Sequence, residues 1–135
     1  MPKSGKLYKL LSFILLAWLG LSACNTVNSA AGAPAAVEGY LQALVAKDEN
    51  QMINLSCAAW EAQAKQEFNS FSAVELKLEN LECQTTGQQG EYTLVSCSGS
   101  MIASYGAEDL QIDVAERNYQ LIQEGGDWRV CGYHE

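Results

Sequence analysis

Apolar residues recur at three- and four-residue steps through the first half of the domain-forming sequence, and at every other position through the second half. Val37, Tyr40, Leu41, Leu44 and Val45 form one helical stripe. Pro34 stands near its start, where a missing amide hydrogen costs no bond. Gly39 weakens this helix slightly, and Lys47 suits its negative end. Asp48, with Gln51 three residues on, is a capping-box pattern. It opens a second helix whose buried face reads Ile53, Cys57, Trp60, Ala64, Phe68 and Phe71. A tight break between the two predicts a helical hairpin.

From Ala73 the period becomes two. Val74, Leu76 and Leu78 alternate with Glu75, Lys77 and Glu79, as in a half-buried strand. The alternation slips at Asn80-Leu81, where a bulge returns Leu81 and Cys83 to the inner face. Gly87 and Gly90 mark a turn, and Tyr92 to Tyr105 is a long second strand with Val95, Cys97, Met101, Ala103 and Tyr105 on one face. Leu110, Ile112 and Val114 begin a third strand that runs or bends through Arg117 to Ile122. Gly125-Gly126 is a hairpin turn, and Trp128 to Tyr133 closes the sheet. The expected fold class is α+β: a helical hairpin packed on one face of an antiparallel sheet of about four strands.

The N-terminal sequence has a different pattern. Lys3, Lys6 and Lys9 precede an apolar run from Leu10 to Leu21, followed by Ser22-Ala23-Cys24. As a helix the run is about 18 Å long, against roughly 30 Å for a hydrocarbon core, which suits a signal-peptide core better than a membrane span. The arrangement resembles the leader of a bacterial lipoprotein, whose lipobox ends in the lipid-bearing cysteine. The resemblance implies a signal peptide over 1–23, cleavage between Ala23 and Cys24, a diacylglyceryl thioether on Cys24, and often an acyl chain such as palmitate on the new amine. Two or three chains hold a protein on a membrane where one does so marginally. An ordinary secretory leader, cleaved after Ala23 or a nearby alanine, is the alternative. Residues 24–35 are then a lipidated cysteine and a small, polar, uncharged tether, and 36–135 a single domain. The chain is expected to be exported and anchored on the outer face of the inner membrane or on an outer membrane. Asn25, unlike an aspartate, carries no retention signal for the inner membrane.

Loss of the leader lysines leaves 5 basic residues against 16 acidic ones from Cys24 onward, a formal charge of −11. Such a charge repels phosphate backbones and argues against nucleic acid as a partner. Five cysteines become four once Cys24 is assigned to lipid: Cys57, Cys83, Cys97 and Cys131. In an oxidising compartment two disulfides are expected, with three possible connectivities. No C-x-x-C pair exists and His134 is the one histidine, so no metal site and no cofactor are expected.

The segments VEGYLQALVAKDENQMINLSCAAWE, SFSAVELKLENLECQ, GEYTLVSCSGSMIASYG and GGDWRVCGY together resemble the nuclear-transport-factor-2-like (cystatin-like) superfamily, and within it small bacterial lipoproteins. Lys47-Asp48 departs from the Gly-Asp often found at the helix–helix break in such domains. The resemblance covers about residues 36–133. It implies helices on a curved sheet enclosing a cone, and the superfamily's members include isomerases, dehydratases, transport adaptors and dimerisation modules, so fold does not fix chemistry. If the first two strands form a hairpin centred near residue 90, Cys83 faces Cys97, leaving Cys57 for Cys131.

Tyr40, Trp60, Tyr105, Tyr119 and Trp128 are candidates to line a pocket, or else pack in the core. An acid–base site would draw on Asp109, Asp113, Glu116 or Tyr119, but Asp113 alternates with apolar neighbours and points outward. Glu116 and Arg117 are expected in surface contacts, with a pocket ion pair as the alternative, and His134 in solvent. Ser96, Ser98, Ser100 and Ser104 share the solvent face of the second strand, or form a hydroxyl-lined wall. Asn54-Leu55-Ser56 matches a glycosylation sequon by coincidence. No nucleophile elbow, phosphate-binding loop or metal-binding helix motif is present. No catalytic residue is therefore expected. The function expected is a membrane-anchored, non-catalytic binding or interaction domain. Its expected partners are the membrane through Cys24 and an unknown protein or small molecule, with a second copy through the sheet face as a further candidate. A small-molecule-binding lipoprotein, or an isomerase- or dehydratase-type pocket enzyme, is the alternative.

Overall fold

The computed structural model describes residues 32–135; the expected leader, Cys24 and the expected tether up to Ala31 lie outside them. Helix α1 (Gly32–Val45) buries Ala33, Ala36, Val37, Tyr40, Leu41, Ala43 and Leu44. The domain thus begins before residue 36: Gly32–Ala35, expected in the tether, are helical, with Pro34 in the first turn. Small size makes these residues look like linker in composition, but it also lets Ala33 pack without exposed surface. The helix ends in a Schellman motif, with Lys47 N–H donating to Leu44 O (3.3 Å) and Asp48 N–H to Ala43 O (2.9 Å). Lys47 takes the left-handed position at φ 60°, where glycine is more usual. Its ammonium then donates to the Phe71 carbonyl, a contact glycine could not make.

The second expected helix is two. Asp48 caps α2 (Glu49–Asn54), its carboxylate accepting from Gln51 N–H at 3.0 Å. The chain then leaves the helical path and resumes it as α3 (Glu61–Ser70). Cys57, expected on the helix, is in the break. Its N–H donates to Val130 O (2.8 Å), and Val130 N–H donates to Leu55 O (2.7 Å), so Ser56 bridges in parallel to the last strand. Cys57 is also disulfide-bonded to Cys131. Tertiary pairing here overrides an apolar period that is locally helical. Gly39 matters at this junction, since a Cβ there would stand 3.1 Å from Leu55 Cδ1.

The sheet has five antiparallel strands: β1 (Glu75–Gln89), β2 (Tyr92–Tyr105), β3 (Glu108–Asp113), β4 (Asn118–Glu124) and β5 (Asp127–His134). β1 lies along one side of β2, and the other side is shared, β3 pairing with Ser100–Tyr105 and β4 with Thr93–Ser96. β5 then extends the sheet beyond β4. Val114, expected in a strand, belongs to a single 3-10 turn (Val114–Glu116) capped by Asp113, whose carboxylate accepts from Ala115 N–H at 2.8 Å. This turn divides the expected third strand into β3 and β4.

The register of the first hairpin slips between Glu79 and Glu82, with Asn80 at φ 53°. Opposite it stands Gly99 at φ 103°, where a Cβ would come within 2.5 Å of the Glu79 and Asn80 carbonyl oxygens. The bulge therefore demands glycine on the facing strand. Beyond it Cys83 pairs with Cys97, Cα–Cα 4.0 Å, and a disulfide joins them. The Cys83 N–H donates to Glu38 Oε1 of α1 at 3.0 Å, tying that strand to the helix layer. The core lies between the helices and one sheet face, and includes Leu41, Leu44, Met52, Val95, Met101, Leu121 and Val130.

Candidate functional site

A polar cluster is set into this apolar layer around Glu67 of α3. Ala64, Glu67 and Phe71 follow at steps of three and four, so a carboxylate occupies the inward stripe of the helix. Glu67 Oε1 accepts from Arg117 Nη1 at 2.8 Å and from the Tyr133 hydroxyl at 3.3 Å, and Oε2 accepts from the Tyr40 hydroxyl at 2.7 Å. Trp60 Nε1–H donates in turn to the Tyr40 oxygen at 3.3 Å. Arg117 also lies over the Tyr133 ring, 4.2 Å from its centroid. Tyr133 packs edge-on to Trp60 (5.8 Å) and tilted against Tyr119 (5.6 Å).

Each residue arrives here for a local reason. Trp60 closes the turn that follows the Cys57 bridge, its N–H donating to Cys57 O at 2.9 Å. Arg117 is the first residue after the 3-10 turn, which redirects it from the sheet face toward the helices. Tyr119 and Tyr133 are register partners on β4 and β5. The surface role expected of Arg117 is corrected: its side chain is 13% exposed and that of Glu67 9%, and the pair is largely desolvated.

Burial dominates the electrostatics. It pushes the Tyr40 hydroxyl well above the usual phenol range, helped by the Glu67 carboxylate. Burial raises Tyr119 to about 12, against the pull of Arg117, and raises Tyr133, reinforced by Glu67. For Arg117 burial works against the charge, but Tyr119 and Glu67 outweigh it and hold the guanidinium above its ordinary value. At neutral pH these phenols are therefore protonated. The Tyr119 hydroxyl is buried with no hydrogen-bond partner among the described residues. Arg117 is close enough to favour its ionised form, but not in a geometry that satisfies it.

The cluster floors a groove of about 280 Å³ lined by Trp60, Gln63, Gln66, Ser70, Phe71 and the Glu67–Arg117–Tyr133 group. Of the five candidate aromatics, Tyr40, Trp60 and Tyr119 meet here. Tyr105 ends β2 and is 52% exposed, and Trp128 lies over Gly32 at the start of α1; neither joins the cluster. Glu67 and Tyr133 were not among the candidates. The available signal was the acid in the α3 stripe, because a buried carboxylate requires a partner and few cations exist to supply one. Asp109 accepts from Ser104 at 2.6 Å and Asp113 caps the 3-10 turn, while Glu116 and His134 are exposed. The serines of β2 lie on the outer face, where Ser96 donates to Asn118 (2.8 Å) and Ser100 accepts from Gln111 (2.8 Å).

No family model matches the chain, and no curated protein matches it. Solved structures share its fold. A SEC-C motif containing protein from Rhodopseudomonas palustris is similar with a TM-score of 0.53 and 13% identity, over 78% of this chain and 79% of that one. The helical cell shape determining protein Pgp2 from Campylobacter jejuni is similar with a TM-score of 0.50 and 12% identity, over 74% of this chain and 38% of that one. At these identities the likeness is one of fold alone.

The chemistry open to the groove follows from how Glu67 is held. Both its oxygens are engaged, and the adjacent guanidinium neutralises it, so taking a proton from a substrate would require breaking the ion pair. Gln63, Gln66 and Ser70 instead present amide and hydroxyl groups beside the Trp60, Phe71 and Tyr133 rings. That combination offers hydrogen bonds and apolar contact to a ligand. Among the described residues no three His, Cys, Asp or Glu side chains gather as metal ligands.

Proposed function

We propose that the chain is a lipoprotein anchored through Cys24 on an extracytoplasmic membrane face, carrying a cystatin-like domain that binds a protein or small molecule without catalysis. The full engagement of Glu67 supports the non-catalytic part most directly. Its carboxylate accepts from Tyr40, Arg117 and Tyr133, and serves as a brace for the groove floor. Two disulfides support the location, since such bridges persist where thiols are oxidised. The Lys3-to-Cys24 sequence supplies the anchor. Three helices against one face of an antiparallel sheet are consistent with the cystatin-like cone.

The anchor is tested by fractionation: Cys24→Ala releases the chain from membranes, whereas unchanged retention contradicts the anchor. The binding role is tested by purifying the full chain natively in mild detergent beside Gln66→Trp, which places a bulky ring in the groove while keeping Glu67 and its partners in the sequence. A protein or small molecule that accompanies the first and is depleted at least tenfold with the second supports this reading. Identical companions, or none, contradict it.

A further inference from the structure

We propose that the end of the domain carrying Trp128 and Arg129 rests on the phospholipid headgroups of the membrane that holds the anchor, so that the Glu67 groove opens away from the bilayer. This rests on the lipoprotein reading of Cys24. Seven residues, Asn25 to Ala31, separate that cysteine from Gly32. Even fully extended, that much chain reaches at most about 28 Å. Gly32 lies directly under Trp128, where an added Cβ would stand 2.7 Å from Trp128 Cδ1. The short leash therefore ends beside Trp128.

The surface at this point is suited to the interface. A groove of about 370 Å³ is lined by Gly32, Gln51, Asn54, Asp127, Trp128 and Arg129 among others. A half-buried indole flanked by polar groups is the side-chain type enriched at headgroup level. Arg129 Nη2 and Asp127 Oδ2 pair at 3.4 Å, and the Asp127 side chain is 76% exposed. A guanidinium beside a carboxylate complements a zwitterionic headgroup, the first meeting the phosphate and the second the ammonium. A purely anionic surface would meet a domain of the same sign.

The other end of α1 locates the Glu67 groove. The helix, Gly32–Val45, is about 20 Å long. Just past its end Lys47 holds the Phe71 carbonyl, and Phe71 lines the Glu67 groove. The two grooves thus lie toward opposite ends of α1, and a ligand would approach the Glu67 groove from the aqueous side.

The test places the full, lipidated chain in phosphatidylethanolamine–phosphatidylcholine vesicles containing brominated lipid and follows tryptophan fluorescence. With Trp18 lost in the leader, Trp60 and Trp128 are the two emitters. Quenching of roughly half the emission, abolished in Trp128→Phe, supports the proposal. Quenching that survives in Trp128→Phe, or none in the wild type, overturns it. Quenching that is as strong in phosphatidylglycerol vesicles overturns the zwitterionic assignment. Hydrogen exchange on the wild type makes the same test without a substitution. Amides near Gly32 and Asp127–Val130 should slow several-fold on vesicles relative to the Cys24→Ser chain, with Gln63–Phe71 unchanged; the reverse pattern contradicts it. Intact mass separates the two failures: an acylated Cys24 with an unquenched Trp128 overturns the orientation alone, and an unacylated chain overturns both.

Discussion

Cys83–Cys97 joins directly opposed positions on two neighbouring, already paired strands, whereas Cys57–Cys131 joins β5 to a segment that local sequence would keep helical. The first bridge fastens a hairpin that turn and register specify. The second fixes an arrangement that only tertiary contacts specify, and the candidate site depends on it, because Trp60 and α3 follow directly from the break. The two bridges thus differ in what depends on each, as well as in loop length.

The largest expected effect comes from removing the second bridge. A sequence separation of 74 against 14 corresponds to about 4.5 against about 3 kcal/mol in a chain-entropy model. Cys57→Ala with Cys131→Ala should therefore lower the denaturant midpoint more than the Cys83→Ala, Cys97→Ala pair. It should also raise the far-UV helical signal, as Leu55–Trp60 is released to join α2 and α3. Equal losses with no helical gain would contradict this difference.

Next come substitutions that probe each region without touching sulfur. Gly99→Ala introduces a side chain at φ 103°, against two carbonyl oxygens at 2.5 Å, and should cost about 3 kcal/mol in chemical denaturation. Glu67→Gln leaves Arg117 largely buried without its counter-charge and should cost a similar amount, about 3 kcal/mol. A loss at Glu67 under 1 kcal/mol would mean that the ion pair is solvated in solution.

The cluster also predicts a pH dependence. Tyr119 is raised to about 12 in the folded chain. Below pH 10 both states keep the proton and the stability is fully present. Between pH 10 and 12 the unfolded chain releases a proton that the folded chain retains, so stability falls by about 2–3 kcal/mol. Tyr119→Phe should flatten part of that decline in alkaline melts. At neutral pH the same substitution removes an unpartnered hydroxyl and should be neutral or stabilising by up to about 1 kcal/mol. Tyr40→Phe instead removes a bond to a carboxylate and should destabilise by about 1.5 kcal/mol. If the two substitutions had the same sign and size, the assigned hydrogen bonding would be wrong.

How much was legible in the sequence follows the same division. The Asn80 bulge and the Asp48 cap were readable because each follows from local period or spacing. The expected Cys83–Cys97 pairing is present, but a count from the turn does not by itself give it: Gln89 pairs with Tyr92, and a slip between Thr85 and Gly87 brings Cys83 opposite Cys97. The break at Leu55–Trp60 was not, because Cys57, Trp60 and Ala64 preserve helical spacing and what interrupts them, Val130, is far along the chain. Pro34 marked the start of α1, but the small residues around it read as linker and set the tether boundary too late. Three of the candidate aromatics came together, but Tyr105 and Trp128 did not, since aromatic character does not say which end of a strand a residue occupies. The Glu67–Arg117 pair joins α3 to the start of β4 across 50 residues, and no local pattern records which cation meets a buried acid.

Location and architecture meet in the fate of the five cysteines, which intact mass spectrometry of the native protein reads at once. The expected species begins at an acylated Cys24, with no thiol available to an alkylating reagent before reduction and four available afterwards. A chain still carrying Met1, or one whose Cys57 and Cys131 alkylate without reduction, would contradict it.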